Sequence, residues 1–278
     1  MKAYTEFAPA KINLALHVLG RRNDGYHELD SIVAFADVGD VLKFDVSDRT
    51  SLTIDGPFAT GLSTGPDNLV LKAVAAMGSV IALPPVHITL IKNLPIASGI
   101  GGGSADAAAT LRGLLRHAKT QPSQKQLQSV ALSLGADVPV CFHGKPCRMQ
   151  GIGETITPVQ SLPWNAIVLV NPLQACSTAE VFRHLGLAKG DQHGTALDLQ
   201  RPEMWRNDLV PPALKTLPLI LDVLTALKFE NLLDPIRMSG SGATCFGLAA
   251  TMEDAQKAAA VLAGNHPEWW VRAAKLLA

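Results

Sequence analysis

Apolar residues dominate positions 4–18, where Phe7, Ala8, Ala10, Ile12, Leu14, Leu16 and Val18 leave little polar surface and Pro9 interrupts. That pattern predicts strand, bend, strand, because proline removes a ladder donor. The polar segment Gly20-Arg21-Arg22-Asn23-Asp24-Gly25-Tyr26-His27, bounded by glycines, predicts a loop, and an apolar run resumes at 31–35. Residues 40–46 and 51–54 alternate as strands of the same sheet would. The first ninety residues are therefore strand-rich.

Helical spacing takes over after Asp67-Asn68, which supplies a cap for a helix over 69–77. A strand over 86–91 follows, then a glycine turn, then an alanine- and leucine-rich helix over 104–119. Ser123 caps a helix over 124–134, and Gly135 is expected to end it in the left-handed conformation. Residues 138–142 read as a short buried strand. Beyond Gly151-Ile152-Gly153-Glu154 the pattern restarts with a strand at 166–170, a capping-box helix start at Ser177-Thr178-Ala179-Glu180 and a helix over 217–227. The restart divides the chain into 1–154 and 155–278. The polar, glycine-bearing stretch 186–197 is the segment expected to be most mobile, and no internal repeat is visible.

Composition narrows the classes. The chain has 278 residues, 47% apolar and 17% charged, enough to bury a large core, and its formal net charge is zero. No global basic field is available for nucleic acid or an anionic membrane, so an anionic ligand must be held by local groups. Cys141, Cys147, Cys176 and Cys245 form no CxxC pair and read as reduced packing residues. The opening Met1–Glu6 has no apolar signal core, and no stretch approaches a membrane span, which points to the cytoplasm. The sequence is compatible with a homodimer.

The candidate chemistry centres on Pro95-Ile96-Ala97-Ser98-Gly99-Ile100-Gly101-Gly102-Gly103-Ser104-Ala105-Asp106-Ala107. Four glycines just before a helix allow backbone N–H groups to converge on a phosphate. The turn is neither a Walker loop, since no lysine follows its last glycine, nor GxGxxG, since Ser104 stands where glycine is required. Ser104 is placed to ligate Mg²⁺ or to cap the following helix, and Asp106 suits the helix dipole. A second glycine turn, Ser239-Gly240-Ser241-Gly242-Ala243-Thr244, can press against the first, approach a substrate or simply bulge. Lys11 and Asn13 share one face of an apolar strand, and Asp137 is the only charged residue between Lys125 and Lys145. A Lys11–Asp137 pair is open to a functional or a structural reading.

Pro9-Ala10-Lys11-Ile12-Asn13-Leu14, residues 95–107 and residues 239–244 together resemble the three motifs of the GHMP kinase family, in the same order and over nearly the whole chain. The resemblance implies an α+β, two-domain fold with the active site in the cleft between the domains, ATP on the glycine turn and Mg²⁺ as cofactor. Carried onto this sequence, it makes Asp137 the base and Lys11 its charge partner, and it assigns Asn68 and Lys92 to adenine. Gly20 through Ser31 and Leu134-Gly135-Ala136-Asp137-Val138-Pro139 look like the branch of the family whose alcohol substrate carries a cytidine diphosphate, phosphorylated on the 2-hydroxyl of a methylerythritol moiety. In that branch Tyr26 and Phe182 stack on the base, His27 hydrogen-bonds to it, and Asn13, Thr178, Gly240 and Ser241 line the substrate site. Phe182 also reads as a core residue of its helix, Asn68 as a helix cap and Lys92 as a solvated surface lysine. A kinase for another small alcohol, or a silent nucleotide-binding protein, are the competing readings; Tyr26 and His27 weigh against the first, Lys11 with Asp137 against the second.

Overall fold

The computed structural model describes residues 3–278. Met1 and Lys2, the start of the stretch read as lacking a signal core, lie outside them. In chain order the elements are β1 (Tyr4–Arg21), β2 (His27–Val46), β3 (Ser51–Asp55), α1 (Leu69–Gly78), β4 (Val86–Ile91), α2 (Gly102–His117), α3 (Gln124–Leu134), α4 (Val138–His143), β5 (Cys147–Gly151), β6 (Thr155–Pro158), β7 (Ala166–Asn171), α5 (Thr178–Leu185), α6 (Val210–Thr216), α7 (Ile220–Phe229), β8 (Leu233–Met238), β9 (Cys245–Ala249), α8 (Met252–Asn265) and β10 (Trp270–Leu277). The mixed helix and sheet architecture expected from the sequence is present.

The chain divides into two compact units that interleave in sequence rather than meeting at a single boundary near residue 154. One comprises Met1–Ala10, Gly39–Ile96 and Gly101–Gly144; the other comprises Lys11–Val38, Ala97–Ile100 and Lys145–Ala278. The cause is the length of the first two strands, 18 residues for β1 and 20 for β2, each of which supplies residues to both units. Pro9 does not break β1, since its fixed φ already suits an extended backbone.

In the first unit the end of β2 pairs antiparallel with β4, from Val41 opposite Ile91 to Val46 opposite Val86, and β3 runs parallel to β4. Helices α1, α2, α3 and α4 pack on one another. Helix α2 reaches the sheet through Gly113, where a Cβ would lie 2.4 Å from the ring of the fully buried Phe44. Tyr4 stacks on that ring at 4.9 Å and donates its hydroxyl to the Gly113 carbonyl at 2.6 Å. Residues 138–143 are a helix, not the strand read from their apolar run. Pro139 sits in the first helical turn, where no N–H is needed, and Gly144 closes the helix at φ 66°. Gly135 ends α3 at φ 153° and ψ 154°, a glycine conformation but not the left-handed one expected.

In the second unit the start of β2 pairs with β5, and its later residues Phe35 and Ala36 pair with β10. The order then continues β10, β7, β9, β8, all antiparallel. Helices α5 to α8 cover a core containing Val168, Val170, Val181, Ile220, Val223 and Cys245. Helix α8 is capped by Thr251, which accepts from the Asp254 N–H. The stretch 186–197 is fastened rather than loose: the Gly190 N–H bonds Arg21, the Arg21 N–H bonds Asp191 and the His193 N–H bonds Leu19. Its far end is held by Asp30, fully buried, which accepts from the Leu197 N–H and pairs with both arms of Arg148 at 2.6 and 2.7 Å. No helix among the described residues is long and apolar enough to cross a membrane.

Gly113→Ala is expected to destabilise the protein by about 1–3 kcal/mol, because the fully buried Phe44 ring already occupies the space a Cβ would need. Urea unfolding of the two proteins measures it, and an unchanged midpoint would show that α2 can slide on the sheet.

Candidate active site

The two glycine turns meet backbone to backbone. Gly99 has φ 76°, and a Cβ there would lie 2.5 Å from the Gly242 carbonyl oxygen and 2.6 Å from that of Ser239. A Cβ at Gly240 would lie 2.7 Å from the Gly99 oxygen. The Thr244 N–H donates to the Ser98 carbonyl at 3.0 Å, and the Ser239 hydroxyl donates to the Gly99 carbonyl at 3.0 Å. The same hydroxyl accepts from the Asn13 N–H at 3.1 Å, while the Lys11 N–H donates to the Ile100 carbonyl at 3.0 Å. Of the roles open to the second turn, pressing on the first is the one observed. All three sequence motifs are thereby joined through their main chains.

From this joint the chain enters α2 through Gly101, left-handed at φ 67° and ψ 21°, with no side chain capping the helix. The first-turn N–H groups are thus left without a side-chain acceptor, the arrangement that binds anions at helix N-termini. Because α2 begins at Gly102, Ser104 lies inside its first turn and is not its cap. Ser98 and Ile100 are buried and anchor the turn, whereas Ile96, Ala97 and Gly103 are exposed. Pro95 and Ala105 are also buried.

Beneath the first turn of α2 lies a buried ionic triad. Lys92 Nζ contacts Asp40 Oδ2 at 2.5 Å and Asp106 Oδ2 at 2.6 Å, and a Cβ on Gly102 would come within 3.1 Å of that ammonium. Lys92 is therefore not a surface lysine, and Asp106 is a buried ion-pair partner rather than an ornament of the helix dipole. Burial alone would lower the Lys92 pKa, but Asp106 and then Asp40 carry it upward. Burial pushes the Asp106 carboxyl up to about 7, with Lys92 opposing and Asp40 reinforcing. Asp40 Oδ1 accepts from the Asn93 and Leu94 N–H groups, which aims the chain toward the glycine turn. Asn68 caps α1, accepting from the Val70 N–H and donating to the Ser63 carbonyl.

Lys11 and Asn13 are buried on β1. Asn13 donates its amide to the Ser31 hydroxyl at 2.7 Å, and its buried Oδ1 has no partner among the described residues. Cys147 is pushed up to about 11 by burial, partly opposed by Lys11. Asp137 precedes α4, and its side chain does not cap that helix.

A second cluster brings together residues more than 150 positions apart. His27, the first residue of β2, lies against Phe182 of α5 with ring centroids 4.6 Å apart and planes 31° apart. Phe182 also packs on the core of its unit. Tyr26 is 58% exposed. Burial, then the charge of Arg21, lowers the His27 pKa, and its buried Nε2 has no hydrogen-bond partner among the described residues. Thr178 and Ser241 join hydroxyls at 2.7 Å. Asn207 escaped sequence reading: its amide donates to the Met238 and Gly240 carbonyls, both at 2.8 Å, and holds the second glycine turn from below.

Residues 68–145 match the family description of the GHMP kinases N-terminal domain. The chain is 50% identical to a 4-diphosphocytidyl-2-C-methyl-D-erythritol kinase of Rhizobium etli, over 97% of this chain and 93% of the relative. It is also 50% identical to the Ruegeria pomeroyi enzyme of the same name, over 99% and 100%. The chain belongs to the GHMP kinase family. A solved 4-(cytidine 5'-diphospho)-2C-methyl-D-erythritol kinase superposes with TM-score 0.81 at 31% identity, covering 99% of this chain and all of the other. Homoserine kinase from Cytophaga hutchinsonii shares the GHMP kinase fold at TM-score 0.70 and 16% identity, covering 99% of this chain and 95% of that one.

The triad of this GHMP kinase has a pH signature. Folded Asp106 titrates near 7, against 3.8 for an ordinary aspartate, so unfolding releases a proton between those values and stability falls as pH rises through about 7. Asp106→Asn is expected to flatten that fall, gaining on the wild type between about pH 4 and pH 7 in urea unfolding. Parallel curves would show that Asp106 does not titrate there.

Proposed function

We propose that this kinase uses ATP to phosphorylate the 2-hydroxyl of 4-diphosphocytidyl-2-C-methyl-D-erythritol, a step of isoprenoid-precursor synthesis by the non-mevalonate route. The observation that carries the reading is the main-chain joint of the three motifs leading into the uncapped first turn of α2, a place for the nucleotide phosphates that needs no side chain. The likeness to kinases of that name supports the acceptor.

Phosphoryl transfer requires an oriented oxygen nucleophile and neutralisation of charge more than covalent chemistry. In this reading Asp137 accepts the hydroxyl proton, and Lys11 stabilises that carboxylate and the charge that builds on the transferred group. Asn13, with its amide oxygen unpartnered among the described residues, and the Thr178–Ser241 hydroxyl pair line the acceptor. Tyr26 and Phe182 stack on the cytosine. His27, kept neutral at pH 7 by its lowered pKa, offers one donor and one acceptor, which suits a base edge that presents both. Asn68 and Lys92 stand on the adenine side through the segments they hold. Mg²⁺ would be held by the Ser104 hydroxyl, in the first turn of α2, together with phosphate oxygens of the nucleotide. When bound, that cation neutralises the β- and γ-phosphate oxygens.

Purified protein with Mg·ATP and a panel of alcohols, among them the diphosphocytidyl compound, homoserine and mevalonate, is expected to release ADP with the diphosphocytidyl compound. Background release with it refutes the acceptor. Asp137→Asn is expected to lower kcat by about 10²-fold or more while ATP still binds, and near-normal turnover would remove Asp137 as the base.

A further inference from the structure

We propose that Arg21 is a positioning residue for the base of the acceptor substrate, tying the loop that carries Tyr26 and His27 to the end of the helix that carries Phe182. Resting on the functional reading above, this explains what holds two halves of the base site that lie more than 150 residues apart in sequence. The Arg21 guanidinium donates through Nε to the Gly25 carbonyl at 3.3 Å and through Nη1 to the Leu187 carbonyl at 2.9 Å. Gly25 is the residue before Tyr26, and Leu187 lies two residues beyond the end of α5, just after its closing Gly186. The main chain of the same residue takes part. The Arg21 N–H donates to the Asp191 carbonyl, its own carbonyl accepts from the Gly190 N–H, and the adjacent Arg22 N–H donates to the Tyr26 carbonyl at 2.7 Å.

The planar fork aims its Nε and Nη1 donors at the two carbonyls from separate atoms in fixed directions, which a lysine ammonium, a compact charge on a flexible stem, does not reproduce. Without the fork, both carbonyls lose a charge-assisted donor, and the side-chain tie between Gly25 and Leu187 is gone. Neighbouring Arg22 serves as the contrast, since its side chain pairs with Asp24, Glu28 and Glu154 on the surface.

Arg21→Ala is expected to raise KM for the diphosphocytidyl acceptor about tenfold or more, with kcat nearly unchanged and KM for ATP unmoved, the size set by losing charged hydrogen bonds. Arg21→Lys should fall between, and Arg22→Ala should match the wild type. Calorimetry with cytidine diphosphate as probe should weaken in the same order. Independently of turnover, the His27 ring protons, shielded by Phe182, should move toward free-histidine shifts in Arg21→Ala and stay put in Arg22→Ala. Unmoved His27 resonances in Arg21→Ala overturn the proposal, as does a KM rise that kcat and thermal stability follow in step. An inactive wild type refutes the functional reading instead, and the His27 resonances then still decide whether Arg21 makes the tie.

Discussion

Two turns made of glycine and serine lie so close that neither tolerates a Cβ at the point of contact. At Gly99 an added carbon would sit within 2.6 Å of two carbonyl oxygens, and Gly240 is blocked reciprocally by Gly99. Glycine is costly in conformational entropy, and four of them in one turn make sense only where backbone must approach backbone or ligand. The contact also fixes what surrounds it. Through Ser239 it holds Asn13, through Ile100 it holds Lys11, and through Asn207 it is supported from beneath. From this joint the chain passes through left-handed Gly101 into α2, whose N-terminus has no side-chain cap.

Charge is buried where geometry must be held, not where stability is gained. A buried ion pair seldom outperforms a hydrophobic replacement in stability, while breaking one is expensive. Here each such group orients a segment. Asp40, besides facing Lys92, accepts two consecutive N–H groups at 93 and 94 on the approach to the glycine turn. Asp30, besides gripping Arg148, takes the Leu197 N–H and anchors the strap formed by residues 186–197. The zero net charge of the chain conceals these local concentrations, in which Lys92 faces Asp40 and Asp106 while Asp30 faces Arg148.

The strap shows how composition misleads. Its glycines and polar residues have the character of a free loop, and no local signal announces that Gly190, Asp191 and His193 pair with the end of β1. The same holds for 138–143, where an apolar run is ambiguous between strand and helix and the deciding feature, Pro139 at a helix start, is a single residue. Helix α8 went unread although its signal was local, in Thr251, Asp254 and the alanines that follow.

By itself the sequence determined the elements whose cause is local: the strands with alternating or continuous apolar residues, the helices announced by Asn68, Ser123 and Ser177, and the glycine turn that leads into α2. It also determined the family, because three motifs in order are a property of the chain rather than of its fold. Only the tertiary structure decided that Lys92 is enclosed by Asp40 and Asp106, that Asn207 bonds the Met238 and Gly240 carbonyls, that Arg21 bonds those of Gly25 and Leu187, and that His27 meets Phe182. Those facts depend on which distant residues the strands bring together, and burial, hydrogen-bond satisfaction and charge pairing are decided by that proximity, which no window of sequence contains.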